Sequence, residues 1–179
     1  MHPLESFRHC PKCGSSRFEE NNFKSKKCPD CGFVYYFNSS AAVAAFIMDK
    51  NGRLLIAERA REPAQGTFDL PGGFVDLYET AEEAVKREVL EETGLVINRL
   101  RYLFSLPNIY AYSGFDVHTL DLFYSCEVED LSGLHATDDV QRLLFLSKKE
   151  IRTELFGLNS IRKAVDVFFN NYFDGILIR

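Results

Sequence analysis

The chain of 179 residues has no tryptophan, only two methionines, and no apolar run approaching the roughly 18 residues that a membrane-spanning helix needs. A helical membrane span is thereby excluded, and residues 41–48 (AAVAAFIM) read as a buried strand. The first ten residues, MHPLESFRHC, lack the apolar segment of a signal peptide, so a cytoplasmic location is expected, with no membrane among the partners. An excess of positive charge is missing too. The formal net charge of −5 gives no general pull toward nucleic acid. Internal repeats and low-complexity tracts are also absent. What is present is 46% apolar residues, 26% charged residues and 11 glycines, enough for one main α/β core and a small appendage.

Composition shifts near residue 38, so residues 1–37 are expected to form a small cysteine-bearing module and residues 38–179 the main domain. Within the main domain, AAVAAFIM and RLLIAE are expected to pair as a hairpin across DKNG, with Asn51-Gly52 at positive φ. A helix is expected from Thr80 to Thr93, capped by Thr80, with Glu83 in the capping-box position and Gly94 as the stop. Segments 95–106 and 115–128 read as strands around a loop, PNIYAYSG, and RLLFL as a further strand. A last helix spans about Leu158 to Phe173, with Ile161, Val165, Phe168 and Tyr172 on its apolar face. Strands mixed with flanking helices imply an α/β sandwich. Lys24, Lys26 and Lys27 read as a solvated loop.

Cys10-Pro-Lys-Cys13-Gly and Cys28-Pro-Asp-Cys31-Gly are duplicated knuckles. Each turn points two thiolates at one ion, and four sulfurs complete a tetrahedral zinc site with no position left for water, hence a structural one. A pair of disulfides is the other reading, but it leaves the repeated Pro and Gly without a purpose. Cys126 sits alone in an apolar strand and reads as a small buried hydrophobe.

From Gly73 the chain runs five residues to Glu79, seven more to Arg87-Glu88-Val89, then Glu91-Glu92 and Gly94-Leu95. On a helix Glu88 and Glu92 project within about 40° of each other, with Glu91 beside Glu88. Ala81, Ala84 and Val85 share that face, so the three acids are expected in the inward stripe. Desolvating clustered carboxylates is unfavourable unless a hard cation such as Mg²⁺ or Mn²⁺ offsets it. This spacing resembles the Nudix hydrolase family over residues 38–179. The resemblance implies a Nudix α/β/α sandwich with a mixed sheet, and attack of metal-activated water on a diphosphate phosphorus. It makes Glu88 and Glu92 the main metal ligands, Glu91 a further ligand or water-orienting group, and the Gly72 carbonyl a backbone ligand. Arg87 and Glu79 look like the structural pair that orients these acids. Tyr78 stands where many members have Gly. Asp139, with Asp138, lies where members often carry a further catalytic acid, although capping or turn roles suit both. Arg59, at the end of the second strand, is a phosphate contact or half of a surface salt bridge.

A four-cysteine ribbon before a Nudix domain is similar to bacterial NADH pyrophosphatases. Those enzymes carry SQPWPFPxS after the box, whereas this chain has Ser105-Leu-Pro107-Asn-Ile-Tyr-Ala-Tyr-Ser113, so its aromatic centre is replaced. Tyr110 and Tyr112, two apart, can share one side of an extended segment and stack on a nucleobase, or pack on the domain or a second subunit. The expected substrate is a nucleotide-derived small molecule: ADP-ribose, NADH, another dinucleotide or a nucleotide sugar. Alternatives are a nucleotide sensor whose ribbon binds RNA, and processing of NAD-capped RNA. The resemblance favours a homodimer.

Overall fold

The computed structural model describes residues 2–173 and 175; residues 174 and 176–179, the end of the expected 38–179 domain, lie outside the described residues. Two compact units emerge, one up to Ser39 and one from Ser40 onward. The first holds three short antiparallel strands, β1 (Glu19–Asn22), β2 (Ser25–Lys27) and β3 (Val34–Tyr36), in the order β1-β2-β3. The lysines differ from the expected solvated loop. Lys26 lies in β2, only 7% exposed, and its Nζ donates to the Phe7 carbonyl at 2.9 Å. The long aliphatic stem is buried while the charged head finds a backbone acceptor, so only Lys24 and Lys27 keep access to solvent.

The second unit contains β4 (Ser40–Ile47), β5 (Leu54–Arg59), β6 (Phe68–Asp69), α1 (Ala81–Thr93), β7 (Ile97–Tyr112), β8 (Phe115–Val128), β9 (Val140–Leu146), a 3₁₀ turn (Thr153–Leu155) and α2 (Asn159–Asn171). One sheet runs β4-β8-β7, with β4 parallel to β8 and β7 antiparallel to β8; the other, antiparallel, runs β6-β5-β9. Side chains alternate across these strands. Val43, Ala45, Ile47, Leu55 and Tyr124 meet Val85 and Val89 of α1, whereas Ala44, Phe46, Leu54, Ile56 and Phe123 meet Val165 and Phe168 of α2. Strands buried on both faces between two helices make the expected α/β/α sandwich with mixed pairing. No helix of the described residues is long and apolar enough to cross a membrane.

Two sequence expectations need correction. β4 and β5 do not form a hairpin: they belong to different sheets, and an isolated bridge at Met48–Leu54 stands in place of a ladder. At the connecting turn Gly52 has φ 72°, but Asn51 is not at positive φ, and the Asp49 carboxyl accepts from the N–H groups of Asn51 and Arg53. The edge of β4 that β5 was expected to fill is taken by residues 71–75. PNIYAYSG is not a loop either, because β7 continues to Tyr112 and pairs with β8 down to Tyr112–Phe115. Pro107 is tolerated there because β7 is an edge strand, which can spare an N–H. The turn itself is Ser113-Gly114, both at positive φ.

Candidate functional site

Three backbone hydrogen bonds fix the glycine turn. Val43 donates to Gly73 O and Ala45 to Pro71 O, each at 2.8 Å, and Val75 donates to Ala41 O at 3.0 Å. Residues 71–75 therefore run along β4. Gly72 has φ 151°, and a Cβ on it would lie 2.1 Å from the Val43 carbonyl oxygen, so only glycine fits this close approach. A Cβ on Gly73 would lie 2.5 Å from Glu88 Oε1, so that glycine leaves the space the carboxylate occupies.

The helix α1 is delimited as its sequence indicates. Thr80 and Glu83 form a reciprocal capping box, and Gly94 ends the helix at φ 71°. Burial of Val85 and Val89 turns Glu88 and Glu92 toward the glycine turn. The Gly72 N–H donates to Glu92 Oε2 at 2.9 Å, and the residue is 8% exposed. Burial, reinforced by the charges of Asp69, Glu88 and Asp139 and opposed by the Gly72 bond, pushes the Glu92 carboxyl up to about 9. Burial also raises Glu88, against the pull of Arg87.

Arg87 organises the other side. Its Nε and one terminal nitrogen grip the two Glu79 oxygens at 2.9 Å each, and that nitrogen also reaches Phe74 O at 3.0 Å. The second terminal nitrogen reaches Glu88 Oε1 at 2.8 Å and Glu91 Oε2 at 3.1 Å. Hydrogen bonds from Arg87 and the Asp76 N–H hold Glu79 below the ordinary carboxylate value. Such a fork fits the planar guanidinium and would not suit a lysine.

Glu91 departs from the expected inward stripe. Its side chain is 49% exposed, against 13% for Glu88. The cause is helical geometry: Glu91 points about 100° away from Glu92, toward the helix edge where Arg87 meets it. Glu88 and Glu91 thus share Arg87, while Glu92 is held by the Gly72 N–H. Among the described residues, the one group of three or more Cys, His, Asp or Glu whose ligand atoms all lie within 4.8 Å is Cys10, Cys13, Cys28 and Cys31.

In that cysteine group the knuckles have matching backbones. Gly14 N–H donates to Cys10 O and Gly32 N–H to Cys28 O, at 2.8 and 2.9 Å, with both glycines at positive φ. The Cys10–Cys31 and Cys13–Cys28 sulfurs are 3.7 Å apart and all are free thiols. A disulfide needs about 2.05 Å, whereas a tetrahedron with zinc–sulfur bonds of about 2.3 Å has edges of about 3.8 Å. The thiol set fits a tetrahedral ion. Cys126, by contrast, is 4% exposed, and burial pushes its thiol up to about 12, as suits a core residue.

Glu88 and Glu92 open onto a cavity of about 310 Å³ that also touches Gly72, Asp138 and Asp139. Arg59 lies in its wall, largely buried, and its ion pair with Asp69 is not a surface one. Its guanidinium donates to Asp69 Oδ2 at 2.6 Å, Pro63 O at 2.8 Å and Tyr110 Oη at 3.2 Å, with its side chain 17% exposed. Burial raises the Asp69 carboxyl even with Arg59 beside it. Tyr110 stacks on Tyr112 with centroids 6.3 Å apart and meets Phe74 edge-on at 5.6 Å. Only Tyr110 of that pair lines the cavity. Asp138 occupies a turn at φ 53°, and Asp139 pairs with Arg61 at 2.8 Å.

Sequence reasoning missed Asp69, Thr119, Asp121 and Ser160. Thr119 and Asp121 share the β8 face that carries Phe123, so polar residues at the core period were the available signal. Ser160 and Asp69 gave none, since their partners are distant in sequence.

The NUDIX domain family model matches residues 38–166. The chain is similar to the NAD-capped RNA hydrolase NudC of Vibrio cholerae, 33% identical over 106 residues that cover 59% of this chain and 39% of that protein. It thus spans about two fifths of the length of the curated relatives it matches. A NUDIX hydrolase of Nitrosomonas europaea superposes with TM-score 0.71 at 20% identity, covering 94% of this chain and 93% of the other, a likeness of fold. A MutT NUDIX hydrolase of Burkholderia pseudomallei superposes with TM-score 0.62 at 26% identity, covering 72% and 97%.

Proposed function

Because the chain belongs to the NUDIX family, we propose that it hydrolyses the diphosphate linkage of a nucleoside-diphosphate derivative in the presence of Mg²⁺ or Mn²⁺. The observation that carries this reading is Glu92, a carboxyl buried beside Glu88 on a cavity wall, where no lysine or arginine of the described residues forms an ion pair with it. An all-oxygen donor set of that kind suits a hard divalent cation, which offsets the burial of charge.

Glu88 and Glu92 would hold the cation, with the Gly72 carbonyl as a backbone donor. Bound there, the cation supplies Lewis acidity and neutralises charge on the diphosphate. Arg87, braced by both oxygens of Glu79, positions Glu88 and Glu91. Glu91, half-exposed at the cavity rim, is a further ligand or orients water. Asp139 is the distal acid that accepts a proton, and it must leave Arg61 to do so. Arg59 faces the substrate phosphates, and Tyr110, backed by Tyr112, provides the stacking surface for a base or nicotinamide.

The four cysteines hold structural zinc. A homodimer in the cytoplasm completes the reading. The experiment is identification of both products released from ADP-ribose, NADH, NAD, diadenosine polyphosphates and nucleotide sugars, with Mg²⁺ or Mn²⁺. Cleavage between the two phosphates of at least one substrate is expected, and no turnover across the panel refutes the proposal. A second reading, removal of an NAD cap from RNA, draws on the name of the Vibrio cholerae relative. Comparing free NAD with the same group on an RNA 5′ end separates the two.

A further inference from the structure

Beyond the acidic face and Arg59, one stretch of the cavity wall has no part in the chemistry proposed above. Asp121, on β8, is 6% exposed and lines the cavity together with Thr119, which is 3% exposed. Thr119 Oγ1 donates to Asp121 Oδ1, and Ser160 Oγ, in the first turn of α2, donates to Oδ2, both at 2.5 Å. No lysine or arginine of the described residues forms an ion pair with Asp121. Arg59, the cation nearby in the wall, is committed to Asp69, Pro63 and Tyr110.

Counting donors and acceptors decides what this wall can bind. A hydroxyl has one proton and two lone pairs, and here both hydroxyl protons are spent on Asp121. Toward the cavity, Thr119 and Asp121 therefore offer only lone pairs. A phosphate, itself an acceptor and an anion, is repelled; an O–H or N–H donor is held. The neighbourhood orders the cavity. Asp69, Glu88, Glu92 and Asp121 all line this one cavity, so the Asp121 wall and the acids of α1 face the same space. Leu158 and Ile161 of the α2 end add apolar surface beside Asp121, suited to the flat body of a sugar or base.

We infer that Asp121, with Thr119, determines specificity by accepting a hydrogen bond from the nucleoside part of the substrate, either a ribose hydroxyl or an exocyclic amine. This rests on the reading that the cavity takes a nucleoside-diphosphate derivative. A purely structural Asp121, fastening β8 to α2 through Ser160, is the competing account. It affects every ligand alike.

The test compares the wild-type chain with Asp121→Asn on ADP-ribose and on its 2′-deoxy, 3′-deoxy and inosine counterparts, in Mg²⁺. With intact ADP-ribose, KM is expected to rise about 10- to 100-fold while kcat stays within about threefold, as for loss of one hydrogen bond to a charged acceptor. With the analogue that lacks the recognised donor, the two proteins should have equal KM. Which analogue behaves so tells hydroxyl from amine. Equal losses across all four compounds, or an unchanged KM, overturn the inference. Should Asp121→Asn melt below assay temperature, Thr119→Val, which keeps the side-chain shape, is expected to show the same discrimination with a smaller effect of about 2- to 10-fold. The same four compounds titrated calorimetrically keep the two readings distinct. Discriminating binding without turnover refutes hydrolysis but retains this inference, turnover without discrimination does the reverse, and no binding by the wild type overturns both.

Discussion

The Gly72 N–H and Glu92 Oε2 lie 2.9 Å apart, so the glycine turn and the last turn of α1 are joined by a single hydrogen bond to a buried carboxyl. Its protonation couples stability to pH. The folded value of about 9 is above the ordinary 4.5, so the folded protein binds more protons than the unfolded chain in that interval. The resulting stability is fully present below about 4.5 and is lost as pH rises toward 9. Glu92→Gln keeps a neutral acceptor for Gly72 at every pH. In EDTA at pH 8 it is expected to melt higher than the wild type, by about 2–4 °C for each kcal/mol relieved. Added Mg²⁺ should stabilise the wild type and leave the variant unchanged. Calorimetric melts at pH 5 and pH 8 read both effects.

The two glycines are expected to fail differently. In Gly72→Ala the new methyl meets backbone, the Val43 carbonyl, at a φ that side chains rarely adopt, so folding should lose about 2–4 kcal/mol. In Gly73→Ala the methyl meets only the far end of the Glu88 side chain, which can swing aside by giving up its bond to Arg87. That variant should stay within about 1 kcal/mol of wild type in urea denaturation. Its Mn²⁺ affinity should nevertheless drop about tenfold or more, as for other disturbances around a metal site.

Arg87→Lys keeps the charge and loses the fork. A lysine reaches Glu79 or Glu88 but cannot hold both oxygens of Glu79 and still touch Glu88, Glu91 and Phe74 O. A fall in kcat of about 10- to 100-fold is expected, with the melting temperature lowered only slightly. Steady-state kinetics beside thermal melts separate positioning from folding.

The parts legible in sequence were those encoded by local rules. Thr80, Glu83 and Gly94 delimit α1 through capping chemistry that operates within four residues, and the duplicated CPxCG turns carry their own geometry. The β4–β5 connection misled because DKNG satisfies hairpin chemistry, while residues 71–75, far along the chain, take the edge that a hairpin would use. Pro107, Asn108 and Gly114 punctuated β7 like a loop, yet 14 aligned positions of pairing with β8 outweigh one missing N–H. Helical angles read Glu88 and Glu92 as inward, but grouping Glu91 with them overlooks its offset of about 100° from Glu92. Asp69 and Ser160 were illegible because their meaning depends on Arg59 and Asp121, brought to them by tertiary packing, whereas Asp121 carried only the weak signal of a polar residue at the core period of β8.

Zinc stoichiometry tests the cysteine knuckles. One zinc per chain is expected by elemental analysis, and Cys28→Ser, which removes a buried sulfur, should lose it. Amide exchange at residues 10–33 should then accelerate. Retention of a full equivalent by the variant argues against the four-thiolate site.

The central claim is that Glu88 and Glu92 serve a divalent cation in cleaving a nucleoside diphosphate linkage. The most direct measurement is chromatographic detection of nucleoside monophosphate released from ADP-ribose and from NADH, with Mg²⁺ or Mn²⁺ and with EDTA. Wild type should release it only with the divalent cation, and Glu92→Gln should be slowed by about 1,000-fold or more, as for removal of a principal charge-stabilising group. Release that persists in EDTA, or a Glu92→Gln variant as fast as wild type, contradicts the account.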